Sequence, residues 1–255
     1  MRVTCVLNLK GGVGKTTTVN YMVAILARDH KKRVLLIDCD SQHNLTDYWG
    51  GDPDRGNLAD ALELGLPEGA QCCIQQTDVE GVDILPGANR LMALDLSCVK
   101  QERVKTAVLR KLLETLRREE RYDFVLMDCP PAFNAAGTAA LYAADDVIIP
   151  IKIDAYAITG MANVLEQIYG MQQINPQLKV CGVLPTMYYY SEDSVKALKI
   201  MKLENFRVLQ PIRYSRKVDS STFTRKTIST GHSGAEIDYR KMVRMYLGGS
   251  RHGRV

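Results

Sequence analysis

The sequence contains no apolar run approaching the length of about 20 residues that a bilayer-spanning helix needs, which argues against a helical integral membrane protein. It also has no basic leader with a small-residue cleavage site. The first residues enter an apolar stretch at once and run into a glycine-rich loop, which reads as a cytoplasmic start. Seven cysteines are present, an odd number that includes the adjacent Cys72 and Cys73, and they form no Cys-x-x-Cys pair and no Cys/His ligand spacing. That pattern fits a reducing compartment, with each cysteine serving as a small buried hydrophobe. Internal repeats, low-complexity tracts and long Pro/Gly/Ser linkers are absent, so one domain over residues 1–255 is expected. No segment ahead of the first strand could hold an N-terminal helix-turn-helix.

What is present is the balance of an ordinary globular protein, 46% apolar and 24% charged. The net charge of +4 is unevenly spread: from Lys196 onward 14 Lys/Arg face four acidic residues, giving +10, so the rest of the chain carries −6. A basic end of this kind suits a polyanion, although charge runs are often only solvated surface.

Apolar, β-branched runs at residues 3–9, 33–37, 82–85, 124–127, 147–151, 180–184 and 206–209 predict buried strands. Helical periodicity lies between them near residues 16–28, 103–119, 156–173 and 192–203. A last helix over 235–247 places Ala235, Tyr239, Met242 and Tyr246 on one stripe. This alternation predicts an α/β fold, a three-layer doubly wound and mostly parallel sheet.

Three segments carry chemistry. Lys10-Gly11-Gly12-Val13-Gly14-Lys15-Thr16-Thr17 falls between a predicted strand and a predicted helix, where a phosphate-binding P-loop must lie. Its glycines let backbone N–H groups turn toward phosphate oxygens, and the helix N-terminus adds a favourable dipole. Lys15 is then placed for the β- and γ-phosphates and the Thr16 hydroxyl for Mg²⁺. Asp38-Cys39-Asp40 ends the next strand, at the sheet edge where ligands bind in open α/β folds. One of these carboxylates can support a hydrated metal while the other orients an attacking water. Phe124-Val125-Leu126-Met127-Asp128 is a Walker B pattern, an apolar strand closing on an aspartate expected to hold Mg²⁺ through water, and Cys129-Pro130-Pro131 follows it.

Together, KGGVGKTT, DCDSQHN at 38–44 and DCPP at 128–131 resemble the deviant Walker A ATPases of the ParA/MinD group, most of all the ParA/Soj partition ATPases. Further matches are Gly182–Tyr188 and the segment Ile212–Ile228 with its Lys-Thr-Ile triplet. The resemblance implies a cytoplasmic, nucleoid-associated ATPase of weak basal activity that uses ATP and Mg²⁺. It implies an ATP-dependent homodimer in which Lys10 reaches the partner's site. By the same carry-over, Lys10, Lys15 and Asp40 are the catalytic residues, with Asp40 orienting the water, while Thr16, Asp38 and Asp128 serve the metal. Gly11, Gly12, Val13, Gly14, Lys15, Thr16 and Thr17 bind the phosphates, and Thr186, Met187 and Pro211 form the adenine and ribose pocket. Arg213, Arg216, Lys217, Arg225, Lys226 and Lys241 are the candidate contacts to nonspecific double-stranded DNA, whose affinity comes mainly from phosphate neutralisation. A ParB-like centromere-binding protein is the implied activating partner.

Two departures stand out: Ser41 takes the place of the proline usual after the second aspartate, and the 213–225 loop lacks the usual Pro-Arg and Phe-Gly. The alternative is a MinD-like membrane-surface ATPase. Residues 248–255 carry almost no apolar surface for a membrane-binding tail, so no stable membrane association is expected. An iron–sulfur carrier would need a matching cysteine motif, which neither Cys98 nor Cys129 provides. The internal Tyr188-Tyr189-Tyr190 cluster reads as packing near the nucleotide or dimer face, and His43 as a loop residue.

Overall fold

The computed structural model describes residues 1–64, 67–94, 107–154, 157–224 and 233–248. Arg225, Lys226, Cys98 and the Lys-Thr-Ile triplet lie outside these residues. The elements are β1 (Arg2–Val6), α1 (Lys15–His30), β2 (Val34–Asp38), α2 (Asn44–Trp49), α3 (Leu58–Leu64), α4 (Pro67–Cys72), β3 (Gln75–Gln76), β4 (Val82–Leu85) and α5 (Ala107–Arg118). They continue with β5 (Phe124–Asp128), α6 (Ala135–Ala143), β6 (Asp146–Lys152), α7 (Ala157–Gln172), β7 (Lys179–Thr186), α8 (Glu192–Leu203), α9 (Arg216–Thr224) and α10 (Gly234–Gly248).

Seven strands form one sheet in the order β3-β4-β2-β5-β1-β6-β7. Every pairing is parallel except that of the two-residue edge strand β3, which runs antiparallel to β4. Parallel strands need both faces covered, which is why the central ones read as continuous apolar runs rather than alternating ones. One buried cluster packs β1, β2 and β5 against α3 to α7, and the other packs the opposite face against α1 and α10. On that second face Tyr21 of α1 stacks on Tyr239 of α10 at 4.3 Å between ring centroids, so the stripe predicted for the last helix is the one that meets the core. Arg240 clamps the same contact from outside, its Nε donating to Asp29 at 2.9 Å.

The first strand stops at Val6, earlier than the apolar run suggests. Leu7 still donates its N–H to the Ile148 carbonyl at 3.1 Å, after which residues 8–9 turn into the loop that follows, and the Asn8 side chain fixes their path by donating to the Pro150 carbonyl at 2.6 Å. The strand expected over 206–209 is reduced to a single bridge, Val183 to Val208, beside β7. The close approach there excludes a side chain at Gly182, where a Cβ would lie 2.8 Å from the Arg207 carbonyl oxygen.

Candidate functional site

In register, Asp38 at the end of β2 lies beside Asp128 at the end of β5, and Asp128 lies beside Val6 at the end of β1. The sheet therefore delivers two carboxylates to the edge from which the glycine-rich loop springs. Gly12 and Gly14 have φ of 69° and 84°, left-handed values that glycine adopts without strain. A Cβ on Gly11 or Gly12 would meet nothing within 4 Å, so the mouth of the loop is open, whereas Gly14 is backed by Thr186 at 3.7 Å and Met187 at 3.9 Å. The loop closes into α1 through the Thr18 N–H, which donates to the Gly14 carbonyl at 2.9 Å.

Polar contacts hold this loop in shape. Asn8 accepts from the Lys10 N–H at 2.9 Å, and the Thr186 hydroxyl donates to the Val13 carbonyl at 2.7 Å. Lys15 is buried, and its ammonium donates to the Lys10 carbonyl at 3.2 Å. Burial lowers the Lys15 pKa, against the opposing pull of Asp128 and Asp40. Thr17 is half-buried in the first turn of α1. Lys10 projects at the mouth, 47% exposed, in an ion pair with Asp154.

At the base of the loop the Thr16 hydroxyl donates to Asp128 Oδ2 at 2.6 Å, while Asp128 Oδ1 is buried with no hydrogen-bond partner. A buried carboxylate oxygen without a partner is costly, and a hydrated cation between hydroxyl and carboxylate would satisfy it. The donor set of this pair fits Mg²⁺, a hard cation that takes oxygen ligands. Desolvation pushes the Asp128 pKa well up, with the Asp38 charge adding to the rise.

Asp38, expected to support the metal shell, is held by the segment that follows β2. It is fully buried, and its Oδ2 accepts both the Thr46 N–H and the Thr46 hydroxyl at 2.8 Å, while Oδ1 accepts the Asp40 N–H at 3.1 Å. Its oxygens are engaged by the segment that follows β2, so its contact with a metal shell would be electrostatic rather than ligating. Desolvation raises its pKa to about 6, the Thr46 hydrogen bonds opposing the rise. The Thr46 hydroxyl in turn accepts the Gly87 N–H at 2.8 Å, and a Cβ on Gly87 would sit 2.9 Å from the carbonyl oxygens of Asp38 and Asp40. Asp40 is partly exposed above this clasp, and its Oδ1 accepts the Gln42 N–H at 3.0 Å.

Thr46, Gly87, Asp154 and the pair Asn20–Trp49 are site-supporting residues that sequence reasoning missed. The Trp49 indole donates to Asn20 Oδ1 at 2.8 Å, latching α2 to α1. Asn8 through Trp49 carries no signature for these pairings, because each partner is set by the crossing of distant strands. A Pro-Gly pair directly after β4 is the one local signal that could have pointed to Gly87.

Of the residues expected at the adenine and ribose, Thr186 and Met187 back the loop, and Met187 has φ of 49°. Pro211 is half-buried and is carried to the end of β7 by Ile212, whose N–H donates to the Pro185 carbonyl at 2.8 Å. Arg213, one of the expected DNA contacts, is exposed, and its guanidinium also grips buried Asp238 through Nε at 2.6 Å and Nη2 at 2.9 Å. Arg216 and Lys217 are exposed in the first turn of α9, and Lys241 is exposed on α10. Tyr189 stacks on Tyr214 at 5.1 Å, and both are exposed. His43 pairs with Asp47 at 3.2 Å on α2, as a loop residue would.

A glycine-rich loop between the central strand and a buried helix, closed below by a hydroxyl–carboxylate pair, defines a P-loop nucleotide-binding protein. Comparison with known proteins narrows this. Residues 1–180 match the family model described as an AAA domain. The chain is 34% identical over 191 residues to the chromosome partitioning protein ParA of Caulobacter vibrioides, covering 74% of this chain and 70% of that one. It is 31% identical over 258 residues to a ParA family protein of Chlamydia muridarum, covering 97% and 98%. Among solved structures, cobyrinic acid a,c-diamide synthase from Mycobacterium smegmatis with bound ATP analogue and magnesium is 31% identical with a TM-score of 0.81, covering 100% of this chain and 97% of that one. The chain belongs to the ParA/Soj family of P-loop ATPases.

Proposed function

We propose that this chain is an ATP-driven partition switch that hydrolyses ATP slowly to ADP and phosphate. In this reading it dimerises when loaded with ATP, binds double-stranded DNA without regard to sequence, and segregates a chromosome, plasmid or mobile element together with a ParB-like partner at the nucleoid. The observation that carries the reading is the Thr16–Asp128 pair with its unsatisfied Oδ1, set under an open loop that presents Lys15 from inside and Lys10 at the mouth. Gly11 to Thr17 wrap the phosphates, and Lys15 compensates the β- and γ-phosphate charge. Thr16 and Asp128 would hold Mg²⁺, which would supply neutralisation of the charge that develops on the phosphates. Asp40, half-exposed beside the mouth, orients the attacking water. Lys10 exchanges its Asp154 partner for the phosphates of a second protomer. Arg216, Lys217, Lys241, Arg225 and Lys226 supply cations for DNA.

The test is binding to a duplex of arbitrary sequence without nucleotide, with ADP and with Mg-ATP, over a range of salt. Binding only with ATP and falling steeply with salt is expected, and Lys10→Ala is expected to abolish both this binding and ATP-dependent dimerisation seen by light scattering. ATP turnover with no duplex binding in any state would refute the DNA switch. The likeness to the Mycobacterium smegmatis synthase favours a second reading, ATP-dependent activation of a corrinoid carboxylate. ATP turnover that depends on an added corrinoid acid and an amide donor would distinguish it.

A further inference from the structure

We propose that Cys39 and Cys129 form a reversible oxidation site, a thiol pair that closes to a disulfide beneath the nucleotide loop. The argument starts from strand register. Arg2 and Phe124 are register partners, and the ladder bond between them runs from the Arg2 N–H to the carbonyl of the residue before Phe124. The same bond recurs one residue past the paired Asp38 and Asp128: the Cys39 N–H donates to the Asp128 carbonyl at 2.9 Å. Cys39 and Cys129 are therefore direct partners on neighbouring parallel strands. Strands of one sheet lie about 4.8 Å apart, inside the Cα separation of about 4.4–6.8 Å that a disulfide accepts.

Direct partners also share a face. Asp38 and Asp128 turn to the α1 side, where Thr46 and Thr16 meet them, and the next residue of each strand turns to the other side. Both thiols accordingly lie in the core cluster covered by α6, each fully buried. Cys5 is in that cluster too, but its register partner is Met127, two residues before Cys129. The Cys5 thiol still reaches a side-chain hydrogen bond with Cys129, so it is a second neighbour of that sulfur, and strand register, which makes Cys39 the direct partner, favours the Cys39–Cys129 bond. The adjacent Cys72 is exposed and Cys73 and Cys181 are buried elsewhere.

Hydrogen peroxide is a sufficient oxidant. One thiol sulfur attacks a peroxide oxygen, the O–O bond breaks, and the thiol proton leaves with the departing oxygen as water. The resulting sulfenic acid is attacked by the second sulfur, its S–O bond breaks, and a second water leaves. Two sulfurs are oxidised, two peroxide oxygens are reduced, and a thiol reductant reverses the change. The peroxide enters when α6, which covers that face, opens locally, and the segment affected is the one from Asp40 to Trp49 that follows Cys39. Once formed, the bond ties the residue between Asp38 and Asp40 to the residue after Asp128, so that segment can no longer shift relative to β5. The functional consequence rests on the proposed ATPase reading, whereas the bond itself does not.

The experiment treats the full chain with hydrogen peroxide, blocks remaining thiols, and maps peptides by mass spectrometry alongside ATP turnover. A Cys39–Cys129 linked peptide is expected, with turnover down about tenfold and restored by dithiothreitol. Cys39→Ala is expected to abolish both the linkage and the peroxide sensitivity, while Cys5→Ala keeps both. Oxidation confined to Cys72, or a peroxide-treated wild type free of the linked peptide, overturns the proposal. A linked peptide with turnover unchanged overturns the regulatory role and leaves the ATPase reading intact. A chain with no turnover before oxidation instead contradicts the ATPase reading while the linkage is still read by mass.

Discussion

Replacing Thr46 by valine isolates the clasp that joins the segment after β2 to the end of β4. Valine keeps the shape and the backbone N–H of Thr46, so its buried bond to Asp38 survives. Two interactions are lost: the hydroxyl's 2.8 Å donation to Asp38 Oδ2 and its 2.8 Å acceptance of the Gly87 N–H. A hydrogen bond to a charged group contributes roughly 1.5–3 kcal/mol and a buried N–H left without an acceptor costs roughly 1–3 kcal/mol, and since the two share one hydroxyl the combined loss is about 3 kcal/mol. With a urea m-value near 3 kcal/mol per molar for a chain of this size, the unfolding midpoint falls by about 1 M. Thr46→Ser restores the hydroxyl and is expected to recover most of the loss. ATP turnover is expected to fall as well, because Asp38 also accepts the Asp40 N–H at 3.1 Å and so sets the carboxylate proposed to orient the water. A valine variant whose midpoint stays within about 0.2 M of wild type would refute the clasp.

Gly87→Ala drives a Cβ to 2.9 Å from two backbone oxygens, which no side-chain rotation relieves, so it is expected to cost about 1–3 kcal/mol and to lower the thermal midpoint; an unchanged midpoint contradicts this. The pH dependence of the nucleotide-free chain follows from buried acids. Desolvation raises Asp38 to about 6 and raises Asp146 despite Arg2 and Thr4, both from 3.8. Between about pH 4 and 6 the folded state thus binds more protons than the unfolded one, and these groups make stability fall as pH rises through that window. Thermal melts without Mg²⁺ are expected to give a higher midpoint at pH 5 than at pH 7.5, and the reverse order refutes it. Arg216→Glu with Lys217→Glu is expected to flatten the salt dependence of duplex binding without moving the melt, whereas Arg213→Ala strips the partner from buried Asp238 and is expected to lower the melting midpoint. Equal effects of the two changes on stability would contradict the distinction.

The sequence by itself determined the alternation of strands and helices, the glycine-rich loop and the aspartates that end β2 and β5. Apolar runs and glycine positions are local signals, written in the residues that use them. The family followed from the same local strings. Long-range packing set the burial and the partners of those groups. Asp38 and Asp40 are two residues apart and chemically identical, yet the crossing of β2 with β4 and β5 buries one under Thr46 and leaves the other at the mouth. Likewise Arg213 counts as one more cation in a basic stretch until α10 brings buried Asp238 against it. Cys39 and Cys129 read as unrelated small hydrophobes until register makes them neighbours. Burial and long-range pairing depend on how distant segments fold back onto one another, and a linear string does not encode that separation directly.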